Sequence, residues 1–343
     1  MSSAVHQTVA LGNQWPTLDP FLFCAHHRDS YPAGNDQLGP AAGLTGRHIG
    51  QDFDDIDGWN MYHGSIVPGF PQHPHRGFET ITYVREGLID HSDSLGATAR
   101  FGRGDTQWLT AGGGIQHCEM FPLVDPDAPN PLHLFQIWLN LPAADKLVEP
   151  YFTMQWGYSQ PRLEFTDDGG NKTAVTVVVG ALDGHRSPPP PPSSWASRPE
   201  ADVGIWHIRL EPGATWSLPA AVGRDTARTL YVFEGGPIRI DGSDIGIDTA
   251  AVVAAGSDLQ LTDSGEGTEV LMLQGRPIGE PVAKYGPFVM NTRAEIQQAI
   301  EDYQRTQFGA WPWLSPDPVH PRSKGRFAIH ADGHVDMIDE PAG

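Results

Sequence analysis

Short apolar segments separated by turn residues run along most of the chain. Segments such as "TITYV", "TAVTVVVG", "IWHIRL", "TLYVFEG" and "VLMLQG" are rich in β-branched and aromatic residues, which is typical of β-strands. The 39 Gly and 31 Pro residues recur between these segments and mark turns. The pattern predicts an all-β protein that is built as a sandwich or a barrel.

One segment near the C-terminus follows a helical period instead. The sequence "NTRAEIQQAIEDYQ" begins with Thr292 and Glu295 at the spacing of a capping box. Its apolar positions fall on one helical face, at Ile296, Ala299, Ile300 and Tyr303. We therefore expect an amphipathic helix from Thr292 to about Gln304, with this face packed against another element.

The chain contains an internal repeat. The sequence "YVREG" at 83–87 is echoed by "YVFEG" at 231–235, which lies 148 residues later. Both copies are followed by a Gly- and Asp-rich stretch and a further β segment. The repeat predicts two β-barrel domains, at 1–145 and 146–310, with the helix in the second. The polar remainder, 311–343, is expected to lie over the surface or to stay loose.

The two copies differ in side chains that can bind a metal. A shift by 148 residues aligns Ala221 and Gly223 with His73 and His75. In the second copy, nothing near "LTDSGEGTEVLM" resembles "GGGIQHCEMF" of the first. We therefore expect the chemistry to reside in the N-terminal domain.

Two pairs of candidate ligands occur in that domain. His73 and His75 are separated by one residue, so on a strand both side chains leave the same face. His117 and Glu119 repeat this spacing. Two adjacent strands carrying such pairs would bring three imidazoles and one carboxylate together inside a barrel. This donor set suits one divalent metal such as Fe, Mn, Ni, Cu or Zn.

Simpler interpretations of these residues compete with a metal site. A single His-x-His is more often a surface or hydrogen-bonded pair, but the second pair downstream favours a metal. Glu79 shares the parity of His75, which makes it a fifth ligand or a rival carboxylate unless Gly77 introduces a bulge. Cys118 should point away from its neighbours and pack as a buried thiol.

The remaining histidines in this region are expected to have other roles. His26 and His27 lie in a segment that we predict to be a turn-rich loop, at a rim or on the surface. His91 is expected to be solvated or to cap a turn. His63 and His133 are predicted to be isolated and structural.

Charge and composition narrow the possible partners. The chain has 22 Lys and Arg against 42 Asp and Glu, a formal net charge of −20. Such a field repels phosphate backbones, so we expect no direct binding to nucleic acid. Two cysteines, no visible signal peptide and no long apolar run predict a cytoplasmic protein that does not enter a membrane.

Four motifs together resemble the pirin family of the cupin superfamily. They are "HPHRGFETITYV", "GDTQWLTAGGGIQHCEMF", "FQIWLNLP" and "GPFVMNTRAEIQQAIEDYQ". The resemblance extends from about Asp19 to Gly309. It implies a bicupin fold with an iron-binding N-terminal barrel and a C-terminal barrel without metal.

The resemblance also implies the ligand set. The four ligands of the family fall on His73, His75, His117 and Glu119, and Glu79 is expected in the second shell. The chain departs from the family in two places. The first is the run Pro188–Pro192, which we expect in a stiff surface loop or a docking site for a partner. The second is its polar C-terminal tail.

Two functions are consistent with this resemblance. Several pirins resemble quercetin 2,3-dioxygenases, which implies a flavonol-like substrate, O₂ and Glu119 as the catalytic base. We expect one divalent metal, Fe(II), with Mn, Ni, Cu or Zn as the alternatives. Others resemble non-enzymatic regulators or redox sensors that act through a protein partner. We expect the enzyme and a monomer, and keep the regulator as the alternative.

Overall fold

The computed structural model describes residues 3–223 and 225–338, which form mostly β-structure with one α-helix. The all-β prediction with a single C-terminal helix is therefore confirmed. In chain order the strands and the helix are β1 (Val5–Ala10), β2 (Gln14–Trp15), β3 (Phe21–Tyr31), β4 (Gly69–His75), β5 (Phe78–Glu86), β6 (Leu88–Asp93), β7 (Thr98–Gly102), β8 (Thr106–Thr110), β9 (Ile115–Met120), β10 (Asn130–Asn140), β11 (Tyr151–Gln155), β12 (Arg162–Thr166), β13 (Lys172–Val179), β14 (Ala181–Leu182), β15 (His185–Arg186), β16 (Gly204–Leu210), β17 (Thr215–Leu218), β18 (Ala227–Gly235), β19 (Ile238–Ile240), β20 (Ser243–Ile245), β21 (Thr249–Val253), β22 (Leu259–Asp263), β23 (Thr268–Gly275), β24 (Ala283–Tyr285), β25 (Phe288–Met290), α1 (Arg293–Thr306), β26 (Phe327–Ile329) and β27 (Val335–Met337).

The contacts divide the chain into two compact units. Unit 1 combines residues 3–25, 137–142 and 158–279 without position 224. Unit 2 combines residues 26–136, 143–157 and 280–338. The helix and the segment that follows it therefore group with the barrel that carries the candidate metal ligands.

Unit 1 contains the second copy of the repeat. Its larger sheet has the strand order β1-β21-β18-β23-β16-β13-β12, and a smaller sheet has the order β17-β22-β19-β20. Alternate residues of these strands enclose an aliphatic core, which includes Val175, Ile208, Leu230, Leu259 and Val270.

Unit 2 contains the first copy. One sheet has the order β27-β26-β7-β6-β9-β4, and the other contains β11-β8-β5-β10 and most of the residues of β3. The core of this unit is separate from that of unit 1 and more aromatic, with Tyr31, Trp59, Phe101, Phe121 and Phe152 among its buried members. Each unit thus buries its own apolar side chains.

The repeat marks structurally equivalent strand ends. "YVREG" closes β5 and "YVFEG" closes β18, and each of these strands is internal to its sheet. The last residue of each motif, Gly87 or Gly235, has a positive φ of 81° or 87°. At Gly235 a Cβ atom would lie 2.0 Å from the Gly267 carbonyl oxygen, so only glycine fits this turn.

The two histidines and Glu79 lie on different strands. His73 and His75 belong to β4, which ends at His75, whereas "ETITYV" lies in β5 of the other sheet. Between the strands, Gly77 has φ 86°, and a Cβ atom there would lie 2.0 Å from the Val289 carbonyl oxygen. The break removes the parity that appeared to link His75 to Glu79.

The helix forms as the sequence predicts. Thr292 is its N-cap and makes both hydrogen bonds of a capping box with Glu295, which satisfies amide groups that the first turn leaves without partners. Its apolar face packs against Phe288 and Met290. Ile296 and Ala299 are buried there, with Ile300 and Tyr303 partly buried.

The other contacts of the helix reach the strands that carry the candidate ligands. The Arg76 guanidinium donates to Asp302 Oδ2 at 2.8 Å, and the Tyr303 hydroxyl lies 3.3 Å from Gln116 Oε1. Arg76 and Gln116 directly follow and precede two of the candidate histidines. The helix therefore fixes the backbone next to the candidate site.

The C-terminal segment is not loose within the residues that the structure covers. β26 pairs with β7 and β27 pairs with β26, so this segment extends one sheet of unit 2. The buried Arg100 guanidinium donates to the carbonyls of Pro321 and Lys324 at 2.9 and 2.8 Å and pairs with Asp90. Residues 339–343 of the predicted tail lie outside the described part.

The proline run of unit 1 has no regular secondary structure. It leads to Trp195, whose side chain is buried and whose indole Nε1 donates to the Arg276 carbonyl at 2.9 Å. The loop is therefore anchored at its C-terminal end. Among residues 3–223 and 225–338, no helix has the length and apolarity to cross a bilayer.

Replacing Asp302 by Asn tests the link between the helix and Arg76. Hydrogen bonds from Arg76 and Arg305 lower the pKa of Asp302 to about 2, below its unfolded value of about 3.9. The ionised carboxylate therefore stabilises the fold above about pH 4, and this contribution disappears as the pH falls through about 2. We expect the variant to lose roughly 0.5–1 kcal/mol of unfolding free energy at pH 7.

Urea unfolding at pH 7 and at pH 3 measures this loss, which should be smaller at pH 3. Glu301→Gln is the matched control, because Glu301 lies on the same helix and accepts from the exposed Gln297 rather than from Arg76. An equal loss for both variants, or a loss that is the same at both pH values, would contradict the assignment.

Candidate metal centre

The pairing of β4 with β9 brings three histidines together. His73 lies directly opposite His117 in this antiparallel ladder, and His75 is on the same face of β4 as His73. One nitrogen from each ring lies within 4.8 Å of the other two. In residues 3–223 and 225–338, no other group of three His, Cys, Asp or Glu side chains converges this closely. This triad can hold a metal ion.

Burial keeps the three rings neutral. Desolvation lowers the pKa of His73 to about 4 and lowers the pKa values of His75 and His117 well below the usual range. Nearby imidazoles add to this effect at each ring, because a second positive charge nearby would be repelled. Neutral imidazoles carry the lone pair that a metal needs.

The hydrogen bonding of two rings fits a metal site. His73 Nδ1 lies 2.8 Å from the Pro71 carbonyl oxygen, so Nδ1 carries the proton and Nε2 the lone pair. Both ring nitrogens of His117 are buried without a hydrogen-bond partner. A buried polar group without a partner is costly, and a metal bond at His117 would remove part of that cost.

Glu119 is buried beside the triad but is not part of the converging group. Its Oε2 accepts from Gln136 Nε2 at 2.6 Å, and its Oε1 accepts from the Thr82 hydroxyl at 3.1 Å. Burial raises the pKa of the carboxyl, and the hydrogen bond from Gln136 opposes this. Two neutral donors thus hold the carboxylate on the inner face of the barrel.

His91 is a site residue that the sequence prediction missed. It was expected in a solvated turn, but it lies in β6, is fully buried, and its ring centroid is 5.5 Å from that of His117. Its Nε2 lies 3.1 Å from Asp93 Oδ2, and its Nδ1 has no hydrogen-bond partner. The signal was the alternation of "LIDHSD", which places His91 on the same face as the core residue Ile89.

Two other predictions about histidines are wrong. His26 and His27 are not in a loop but in β3. His27 Nδ1 lies 2.8 Å from the Tyr62 hydroxyl, and His26 Nε2 lies 2.6 Å from His133 Nε2. His133 is therefore not isolated. His63 is exposed, its Nδ1 lies 2.8 Å from the Gly50 carbonyl oxygen, and its ring contacts those of Phe53 and Phe70, so it is not isolated either.

The two remaining candidates face away from the triad. Glu79 accepts from the Thr110 hydroxyl at 2.7 Å and lies on the face of β5 opposite to Thr82, which contacts Glu119. Cys118 is buried against Met120 in a small apolar cluster, as the sequence predicts for a packed thiol. Burial raises the pKa of this thiol.

Aromatic side chains lie next to the most accessible ligand. His73 is partly exposed, whereas His75 and His117 are buried. The Phe70 ring lies 6.4 Å from His73 and stacks on Tyr62 at 5.1 Å between centroids. We call Phe53, Tyr62, Phe70 and Phe121 the aromatic wall, since each contacts another of the four.

Family comparisons agree with this geometry. The model of the pirin family matches residues 3–139, and the model of the pirin C-terminal cupin domain matches residues 205–309. The first match contains the histidine triad. The second match covers most of the larger sheet of unit 1 and the helix, and it ends before the hairpin of β26 and β27.

Individual relatives extend over most of the chain. A Pseudomonas aeruginosa protein that carries the provisional name quercetin 2,3-dioxygenase is 37% identical over 69% of this chain and 79% of its own length. Human pirin is 33% identical over 73% of this chain and 81% of its own length.

Solved structures show the same fold. The crystal structure of a quercetin 2,3-dioxygenase from Acinetobacter baumannii superposes with a TM-score of 0.70 at 24% identity, covering 89% of this chain and 98% of that chain. The two family models, the relatives and the two-barrel architecture agree with one another. The chain belongs to the pirin family of the cupin superfamily.

Proposed function

We propose that this protein is a metal-dependent dioxygenase that opens the ring of a flavonol such as quercetin with O₂. The observation that carries the proposal is the convergence of three neutral imidazoles, two of them buried, beside a buried carboxylate. The provisional name of the Pseudomonas relative and the fold shared with the Acinetobacter enzyme support it.

The metal would be held by His73, His75 and His117, with Glu119 completing the set. Three nitrogens and one carboxylate oxygen suit Fe(II), which we propose as the native ion, and they also accept Mn, Ni, Cu or Zn. A bound divalent ion supplies Lewis acidity and open positions for substrate oxygens.

Glu119 is the proposed proton acceptor. Ring opening requires a flavonolate, and the proton of the flavonol 3-hydroxyl has to move to a nearby base. Gln136 and Thr82 each donate to a different oxygen of Glu119, so the carboxylate keeps its orientation while one oxygen takes that proton. The burial that raises the pKa of Glu119 favours the protonated product of this transfer.

Phe70, a partly exposed ring of the aromatic wall, is the proposed contact for the flavonol rings. It adjoins His73, the accessible member of the triad. Flat aromatic substrates stack on or pack edge-to-face against such rings. Because the wall is apolar, the net charge of −20 makes no specific contribution to the binding of the flavonol rings.

Substitution of His117 by Ala tests the ligand set. Because His117 lies opposite His73 and both of its nitrogens lack partners, the variant should lose most of one bound equivalent of Fe(II). Iron is measured on the desalted protein after anaerobic loading. His48→Ala is the control, since His48 is exposed and pairs with Asp54, and it should keep the iron. Full retention by His117→Ala would contradict the site.

Substitution of Glu119 by Gln tests the base. The amide keeps the shape and one oxygen for the metal but cannot take a proton, so quercetin consumption per bound metal should fall by about 100-fold or more. Oxygen uptake and metal content are measured on the same sample.

Glu79→Gln is the matched control, because it changes another buried carboxylate on the opposite face of β5, and it should keep its turnover. Equal turnover of both variants would exclude Glu119 as the base. If no metal form of the parent consumes any flavonol, the dioxygenase proposal is wrong and a regulator acting through a protein partner is favoured.

Substitution of Phe70 by Ala tests the aromatic wall. Loss of one ring contact should raise the KM for quercetin roughly 2- to 10-fold, with metal content unchanged. Steady-state oxygen uptake gives KM and kcat separately. Phe53→Ala removes a ring of the wall that is in contact with Tyr62 rather than His73, so its KM should change less. An unchanged KM for Phe70→Ala would show that the flavonol binds elsewhere.

A further inference from the structure

A second group of metal-binding side chains lies on the hairpin of β26 and β27. His330 and His334 are joined across its turn by a hydrogen bond from the His330 amide to the His334 carbonyl at 2.8 Å. Asp336 lies two residues beyond His334 and thus on the same face of the strand. We call His330, His334 and Asp336 the hairpin site.

The ligand atoms of the hairpin site lie close together in two pairs. His330 Nε2 lies 3.1 Å from Asp336 Oδ2, and His334 Nε2 lies 3.0 Å from Asp336 Oδ1. Two ligands bound tetrahedrally at about 2.0–2.1 Å are separated by about 3.3 Å. Each nitrogen–oxygen pair therefore has nearly the separation that one shared ion requires.

One rotation would complete the site. The two nitrogens contact different oxygens of Asp336, so a single ion bound by all three residues requires a turn of one imidazole. The His334 side chain is 65% exposed and can rotate, whereas the side chains of His330 and Asp336 are 20% and 29% exposed. The exposed side leaves room for water to complete the coordination.

The inner side of the hairpin site is held in place by unit 2. Trp156 Nε1 donates to Asp336 Oδ2 at 3.4 Å, and the Phe152 ring packs against His330 with centroids 5.3 Å apart. Within the turn, Asp332 Oδ1 accepts from the His334 amide at 2.9 Å. A prearranged backbone lowers the ordering cost of binding.

We propose that the hairpin site binds a divalent transition-metal ion of the Zn²⁺, Ni²⁺ or Cu²⁺ class. Two imidazoles and one carboxylate are the donors that these ions prefer. The site lies beyond residue 309, where the match to the pirin C-terminal model ends, and it is separate in sequence from the triad. A bound ion would fasten β27 to β26, and through β26 to β7.

Zinc titration of the full chain, stripped of metal beforehand, tests the proposal by isothermal calorimetry. We expect two equivalents for the parent and one for a His330→Ala, His334→Ala double variant. His117→Ala should keep the hairpin equivalent with unchanged affinity. A failure of the triad as a metal site would thus leave the hairpin result intact, so the two proposals are tested separately.

Two further variants sharpen this test. Asp336→Asn keeps the shape of the hairpin and should weaken the hairpin equivalent by at least about 10-fold. His48→Ala, which changes an exposed imidazole that also pairs with an aspartate, should have no effect. Far-UV circular dichroism checks that each variant is folded. If the double variant binds as much zinc as the parent, or the His117→Ala variant binds none, the hairpin pairs are simple ion pairs and the proposal is wrong.

Discussion

The antiparallel pairing of β4 with β9 is the contact on which the candidate site depends. It places His73 opposite His117, and the pleat then adds His75 and Glu119 on the inward side. The pairing is fixed at its end by the break at Gly77, where the chain passes close to the Val289 carbonyl and enters the other sheet. Contacts from the helix to Arg76 and Gln116 hold the backbone on both strands. A slip of one residue would turn every candidate ligand outward.

The site is assembled at a cost in stability. The imidazoles of His75 and His117, the Glu119 carboxylate and the pair of His91 with Asp93 are buried where apolar side chains would pack more favourably. Hydrogen bonds from Gln136 and Thr82 offset the burial of Glu119, but the nitrogens of His117 have no such compensation. Such a concentration of buried, incompletely satisfied polar groups is typical of a functional site rather than of a core.

The hairpin of β26 and β27 repeats the geometry of the triad on a smaller scale. In both places, two candidate ligands are separated by one residue on a strand, and another lies across an antiparallel pair. The difference is burial. Two of the three imidazoles of the triad are buried, whereas the hairpin site is open on one side. The first environment suits chemistry on a substrate, and the second suits an ion with a structural role.

Local patterns in the sequence determined the succession of short strands and turns, the internal repeat, the capping box at Thr292 and the spacing of the candidate ligands. Each of these features is read from residues only a few positions apart. Tertiary structure alone decided the break between His75 and "ETITYV", since it depends on Val289, more than 200 residues away. The same holds for the grouping of the helix with unit 2 and the pairing of β26 with β7. Backbone groups distant in sequence meet in these contacts, and no local periodicity records which partner each one finds.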